Sequence, residues 1–317
     1  MIETYAFKEV LKSARPMLDE AMQKFAAVNG EFCLVSPDVS RAGMPEFIQK
    51  FPKQHFNVGI AEQCAVDLAA GLALEGRLPF IYGMSVFLSM RSCENIRTNV
   101  CYQNANVKII GNNTGLAGGG GSTHYAMEDL AILRSFPNLT LIVPGDPDQA
   151  LKAFYAALEL KGPVYIRLAN GRNEPAVYKG NYNFHVGKGI EIKSGGDVAL
   201  IACGIMVSYA VEAARILSER DGINIGVVDM HTLKPLDRDL IEKLAKKTGK
   251  IITLEDHTIN GGLGGAVAET LAESGIPCRL KRLGIPDCFP GFGSFEALQG
   301  QLGYSIDAVI AQVKAML

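Results

Sequence analysis

A regular alternation of short apolar runs with helix-length stretches constrains this chain more than any other feature. In the first half, Phe32–Ser36, Phe80–Met84, Val107–Gly111, Leu139–Val143 and Val164–Leu168 read as short buried strands. Between them lie helical patterns over Thr4–Gly30 (with Pro16 as a kink point), Ala61–Leu74, Cys93–Gln103, Tyr125–Phe136 and Pro147–Lys161. Continuous apolar strands separated by helices imply a parallel sheet covered on both faces, because each crossover lays a helix over the sheet. Pro147 directly after Asp146 marks a helix start, with the aspartate as cap and the ring fixing φ. The text changes between Asn170 and Lys188, where Gly171, Asn173, Pro175, Gly180, Asn181, Asn183 and Gly187 predict a crossover linker with little core of its own. A second α/β unit follows, with strands at Val198–Cys203, Ile225–Asp229, Ile251–Glu255 and Arg279–Leu283. Its helices are Met206–Arg220, Asp237–Lys247 and Leu263–Ser274. A chain of 317 residues exceeds one core. The expected division is a first domain over 1–172, a linker over 173–190 and a smaller domain over 191–317.

Charge and cysteine usage narrow the function classes. The formal net charge is −2, which argues against a nucleic-acid surface built from clustered Lys and Arg. No apolar run reaches the length of a membrane span; IYGMSVFLSM is too short and is followed by Arg91. The opening MIETYAFKEVLK reads as a charged amphipathic helix rather than a signal peptide. The seven cysteines contain no CxxC pair, which suits a reducing cytoplasm and small core thiols. Cys and His show no metal-ligand spacing, so no metal site is expected within the chain itself.

The run Phe56-Asn57-Val58-Gly59-Ile60-Ala61-Glu62-Gln63 sets one carboxylate at the mouth of a helix, just after an extended segment. From Ala65 to Leu74 that helix carries only Asp67 as a charge, so it is expected to be buried on nearly every face. A carboxylate buried there is costly unless it is hydrogen-bonded or chemically used. The simpler alternative is a glutamate favoured at a helix N-terminus by the macrodipole. Downstream stand an aromatic segment at Tyr82–Phe87 and a glycine run ending in Thr123-His124.

Together these segments resemble the pyrimidine-binding half of thiamine-diphosphate enzymes of the transketolase family. NVGIAEQCAVDLAAGLALEG, NVKIIGNNTGLAGGGGSTHYAMEDLAILRSFPNLTLIVPGD and LEDHTINGGLGGAVAE follow in that family's order. The resemblance implies an α/β chain: a pyrimidine-binding fold, its parallel sheet covered by helices on both faces, then the smaller transketolase C-terminal α/β domain. It also implies thiamine diphosphate as cofactor. Glu62 takes the place of the glutamate that hydrogen-bonds the aminopyrimidine N1′ and so promotes loss of the thiazolium C2 proton. That role needs a proton shared near neutral pH, which an apolar pocket favours. Phe87 takes the place of the stacking aromatic, a contact of roughly 1 kcal/mol beyond burial; Tyr82 and Arg91 are also assigned to the cofactor. Arg91, Glu94 and Arg97 resemble the family's helix, while Cys93 stands where an aromatic is common, which predicts a less aromatic pocket. His124 takes the place of the histidine that bonds a substrate hydroxyl or carbonyl oxygen, since a neutral imidazole both donates and accepts.

Departures from the pattern bear on the substrate. Gly119 and Gly120 replace an acidic pair, removing a sugar-hydroxyl contact and opening volume. Asn112 stands for a phosphate-binding histidine and Asn170 for a late arginine, and the N-terminal arginine is replaced near Thr4. Ser40, Arg41, Arg167 and Arg172 remain as candidate substrate contacts, the arginines because a guanidinium fork suits phosphate or sulfonate. A branched or sulfonated ketose is therefore expected in place of the ordinary pentose phosphates. No Gly-Asp-Gly occurs in the sequence; in this cofactor class that motif holds the diphosphate and Mg²⁺. The resemblance thus implies the C-terminal subunit of a split transketolase. Such a transferase moves a two-carbon ketol (glycolaldehyde) unit from ketose to aldose, at a site shared with an N-terminal Gly-Asp-Gly subunit in a heterotetramer. Three alternatives stay open: a 1-deoxyxylulose-phosphate-synthase-like half, whose spacing GLAGGGGSTH follows; a 2-oxoacid dehydrogenase E1 beta chain; and a non-catalytic paralogue that binds or regulates a true transketolase.

Overall fold

The computed structural model describes residues 2–38, 43–117, 120–169 and 174–317. In the first unit, strands β1 (Phe32–Ser36), β2 (His55–Asn57), β3 (Leu78–Met84), β4 (Lys108–Asn112), β5 (Thr140–Ile142) and β6 (Val164–Arg167) run parallel in the order β5-β6-β4-β3-β1-β2. The central strands are buried along almost their whole length because helices cover both faces. Alternation along β3 shows the two sides. Phe80 and Tyr82 pack with Ala14, Leu18, Phe32 and Phe154. Ile81 packs with Val35, Ala65, Val66 and Ala69 of the opposite layer. Helices Ala14–Ala26 and Pro147–Glu159 build the first layer, and helix Glu62–Leu74 belongs to the second.

The second unit adds β7 (Ile190–Lys193), β8 (Val198–Ala202), β9 (Ile225–Asp229), β11 (Lys250–Thr258) and β12 (Arg279–Ile285), in the order β12-β11-β8-β9-β7 with only β7 antiparallel. Between β9 and β11, strand β10 (Thr232–Lys234) crosses to the first sheet and pairs antiparallel with β5. One apolar cluster runs through both units, from Val35 and Val66 to Ile201, Val228 and Leu263. The two units therefore share a sheet edge and a core.

Three expectations are corrected. The N-terminal helix begins at Ala14, not Thr4. Pro16 then lies in the first turn, where a missing N–H costs no intrahelical bond, so it starts the helix instead of kinking it. The preceding residues form a strap: the Ile2 N–H donates to the Ile192 carbonyl, the Tyr5 N–H to that of Val177, and Thr4 pairs with Tyr178. Nor does the linker lack a core. Val177 and Tyr178 are 2% exposed, their amides donate to the Asp146 carboxylate, and the Tyr178 hydroxyl donates to Asp229. The pattern over Cys93–Gln103 resolves into a short turn, Cys93–Asn95, followed by π-helical Ile96–Tyr102. Helices Ser85–Arg91, Phe295–Leu302 and Ile306–Met316 add to the elements read from sequence. Among the described residues no helix is long and apolar enough to cross a membrane.

Candidate functional site

Glu62 is presented by a turn that its own sequence dictates. The Asn57 side chain accepts the Gly59 N–H at 2.9 Å, and Gly59 takes φ +72°, a conformation that favours glycine. The chain then reverses into helix Glu62–Leu74 with Glu62 as its first residue, where the helix dipole favours a negative charge. The carboxylate is buried (4% exposed), and its Oε2 accepts from Arg91 Nη1 at 3.1 Å. The helix behind it is less buried than its composition predicts. Ala65, Val66, Ala69 and Ala70 face the core, whereas Gln63, Cys64, Asp67, Gly71 and Leu74 face outward. Asp67 there accepts from Asn95 and Asn99 of the neighbouring segment.

Phe87 and Arg91 sit one turn apart on helix Ser85–Arg91, directly after β3. That spacing lays the Arg91 guanidinium over the Phe87 ring, 4.1 Å from its centroid. The other edge of Phe87 meets His124, with ring centroids 5.3 Å apart at 75°. His124 ends a loop that turns through Gly115, Gly120 and Gly121, all at positive φ. Its N–H donates to the Gly121 carbonyl at 2.8 Å, and its Nδ1 lies 2.9 Å from Thr123 Oγ1. Glu62, Arg91, Phe87 and His124 thus form one connected group, drawn from two helices and a loop.

Other assigned residues are not part of it. Tyr82 is in the opposite layer of the sheet, 1% exposed, because its strand position alternates away from helix Glu62–Leu74. Asn112 is buried at the end of β4 and donates its amide to the Gly83 carbonyl at 2.9 Å, which joins two strand ends. Arg167 is no open anion site. Its guanidinium, 5% exposed, grips Asp129 through Nε and Nη2 at 2.9–3.1 Å and donates to the Ala126 and Asp256 carbonyls. Burial pushes the Asp129 carboxyl up, but the Arg167 charge and hydrogen bonds outweigh it and hold it below its ordinary value. Ser85 and Tyr165 hydroxyls complete that shell around Asp129. Gly120 does more than open volume: at φ +90°, a Cβ there would stand 2.9 Å from that of His124. Ser40, Arg41 and Arg172, like Gly119 and Asn170, lie outside the described residues.

The second unit supplies contacts that residue patterns did not flag. Asp256, inside LEDH, accepts the N–H groups of Leu116 and Ala117, each at 3.2 Å, and the Tyr304 hydroxyl at 3.0 Å. Ser122 donates to the Pro290 carbonyl, and Phe292 lies against Gly121. Neighbouring His257 is buried and held down to about 4 by that burial. It is the neutral tautomer with Nδ1–H donating to the Thr258 carbonyl and Nε2 accepting the Ala131 N–H. The packing of β11 and of the segment after β12 against the loop reveals these contacts.

A buried carboxyl group beside an aromatic face fits the aminopyrimidine of thiamine diphosphate, whose ring nitrogen shares a proton with such a group and whose ring needs an apolar wall. Similarity to known proteins agrees. The transketolase pyrimidine-binding domain matches residues 12–173, and the transketolase C-terminal domain matches residues 187–309. One of the subunits of an apulose-4-phosphate transketolase, from Actinobacillus succinogenes, is 37% identical over 87% of this chain and 89% of its own. A 6-deoxy-6-sulfo-D-fructose transketolase subunit SqwH of Clostridium sp. is 37% identical over 86% and 84%. A 1-deoxy-D-xylulose-5-phosphate synthase of Heliobacterium modesticaldum is also 37% identical, but the match covers only 41% of that protein. Among solved structures, a split-gene transketolase described as an inactive beta4 tetramer superimposes with a TM-score of 0.86 at 38% identity, covering 96% of this chain and 98% of that one. The chain belongs to the transketolase family of thiamine-diphosphate-dependent transferases, with that family's pyrimidine-binding and C-terminal domains.

Proposed function

We propose that this chain is the C-terminal subunit of a split transketolase, active only with a partner subunit that holds the diphosphate and Mg²⁺. The observation that carries the proposal is the connected group Glu62, Arg91, Phe87 and His124. Its setting supports a partner. Two residues before Glu62 the surface exposes Ile60 (77%), a large apolar group that a subunit contact would cover. The relatives named as transketolase subunits match this chain over most of their own length, which favours a separate partner polypeptide over a synthase half.

Thiamine diphosphate, when bound, would supply the carbon nucleophile for transfer of a two-carbon ketol unit from a ketose to an aldose. Glu62 would meet the aminopyrimidine ring nitrogen and exchange a proton with it, at a carboxyl group that the fold buries away from water. Phe87 supports the ring, and Arg91 fixes both Glu62 and Phe87. His124 donates to or accepts from a substrate oxygen at the end of the glycine loop. The donor ketose is proposed to be branched or sulfonated. Relatives named for apulose 4-phosphate and for a sulfonated fructose favour that choice, as does the loop without acidic side chains.

Calorimetry tests the shared site. The chain alone should bind thiamine diphosphate weakly, and addition of the co-purified partner should create tight, Mg²⁺-dependent binding. Tight Mg²⁺-dependent binding by the chain alone sinks the proposal. A ketose screen with product mass measurement on the complex then identifies the donor.

A further inference from the structure

We infer that the second unit positions the glycine loop, with Asp256 as the positioning residue through which it sets His124. This rests on the reading of His124 above and adds a role for a unit otherwise regarded as packing. The start of the loop is clamped by Asp256, 3% exposed, whose Oδ1 takes the Leu116 N–H and whose Oδ2 takes that of Ala117. Tyr304, fully buried, donates to the same Oδ1 and fixes the carboxylate from behind. The approach is so close that a Cβ on Gly115 would fall 2.0 Å from Asp256 Oδ2, and Gly115 also takes φ +58°. The far end is held as well: Ser122 donates to the Pro290 carbonyl, and the Phe292 ring covers Gly121, where a Cβ would fall 2.3 Å away. His124 hangs from that end through its N–H bond to Gly121.

Between the two clamps the sequence runs through Gly118, Gly119 and Gly120, which have no side chains to pack. A glycine-rich segment has the largest conformational entropy to lose. Two charge-assisted acceptor bonds at its base and a ring at its tip restrict it where side chains of its own do not. Asp256 is itself anchored to the first unit, since Arg167 Nη2 donates to its carbonyl at 3.1 Å while gripping Asp129. The geometry of His124 against Phe87 therefore depends on both units.

The test is a double-mutant cycle in the complex with the partner subunit, paired with hydrogen exchange on the same preparations. Asp256→Asn keeps the shape but loses one acceptor. It should speed exchange at the Leu116 and Ala117 amides and lower kcat/KM about 10- to 100-fold, as expected when a reacting group is displaced by about 1 Å. Thiamine diphosphate affinity should not change, because Glu62 and Phe87 are untouched. In a His124→Ala background the same substitution should cost less than about twofold, because both changes act on one contact. Equal losses in the two backgrounds, or unchanged kcat/KM with faster exchange, overturn the inference alone. Full turnover by His124→Ala overturns both it and the reading of His124. Tyr304→Phe removes a single hydrogen bond and carries the same cycle at smaller amplitude if Asp256→Asn fails to fold.

Discussion

Glu62 and Glu255 are both buried glutamates whose carboxylates sit at a helix N-terminus, Glu62 as the first residue of its helix and Glu255 reaching across from β11, and their partners differ. Both oxygens of Glu255 accept backbone amides, Leu263 at 2.7 Å and Gly264 at 2.8 Å, so the side chain caps helix Leu263–Ser274. Gly262 is needed beside it, since a Cβ there would fall 2.0 Å from Glu255 Oε2. Burial pushes the Glu255 carboxyl up to about 7 against the pull of those two amides. Titration behaviour by itself would rank it as a catalytic acid. Glu62 instead meets the half-exposed side chain of Arg91, and Ile60 two residues before it is exposed. A carboxylate held by backbone is committed to the fold. One held by a half-exposed side chain is open to exchange for a ligand. Partner type separates the two carboxylates here, and burial does not.

The strongest way to break this contrast is Glu62→Gln. In the complex with the partner it should lower turnover about 10²–10⁴-fold, the usual contribution of a proton-transfer group, with an unchanged circular dichroism spectrum. Near-normal turnover in the folded variant removes Glu62 from the mechanism. Arg167→Met probes the second contrast, between an arginine that binds substrate and one that binds the fold. Removing one partner of a buried pair leaves Asp129 uncompensated, so denaturant unfolding should show a loss of about 3–5 kcal/mol. A stable variant with only a raised KM would return Arg167 to the substrate site.

Glu255→Gln should have the smallest effect and should act on stability alone. It places an amide NH₂ against a backbone N–H, which costs about 1–3 kcal/mol, while turnover per folded molecule stays within about twofold. The pH dependence has a definite sign. Between the ordinary value of 4.5 and about 7, the folded chain holds a proton that the unfolded chain releases. The Glu255 contribution is therefore full at low pH and is lost as pH rises through that window. Glutamine has no proton to lose, so the variant's deficit should shrink between about pH 4.5 and pH 7. Urea midpoints for both proteins across that range decide the matter, and a deficit that grows with pH contradicts the assignment.

Much of the architecture was legible because apolar runs bounded by turn residues have only one way to be buried. The strands at Phe32–Ser36 and Ile225–Asp229 and the helix at Leu263–Ser274 match residue for residue. Glu62, Phe87 and His124 were proposed from the family resemblance, and the fold sets them beside one another through a turn at Asn57–Gly59, a helix just past a strand, and the end of a glycine run. Arg91 is assigned to the cofactor by sequence, but its bond to Glu62 appears only in the fold. Sequence and structure part where the partner is distant along the chain. The strap at Ile2–Tyr5 carries a helical pattern, yet its hydrogen bonds go to residues near 177 and 192. Arg167 carries the charge an anion site needs, yet Asp129 neutralises it.

The sequence by itself determined the α/β alternation and the family, and through that family it pointed to the groups at the mouth of helix Glu62–Leu74 and the end of the glycine loop. Those follow from patterns a few residues long, where sterics and turn chemistry act between chain neighbours. Tertiary structure alone decided that β10 seals the edge of the first sheet and that Arg167 belongs to Asp129. It also decided that Asp256, some 140 residues from Leu116, holds the loop bearing His124. A charge or a carboxylate has no fixed role in the chain; its role is set by whichever group burial brings against it, and burial is a property of the whole fold.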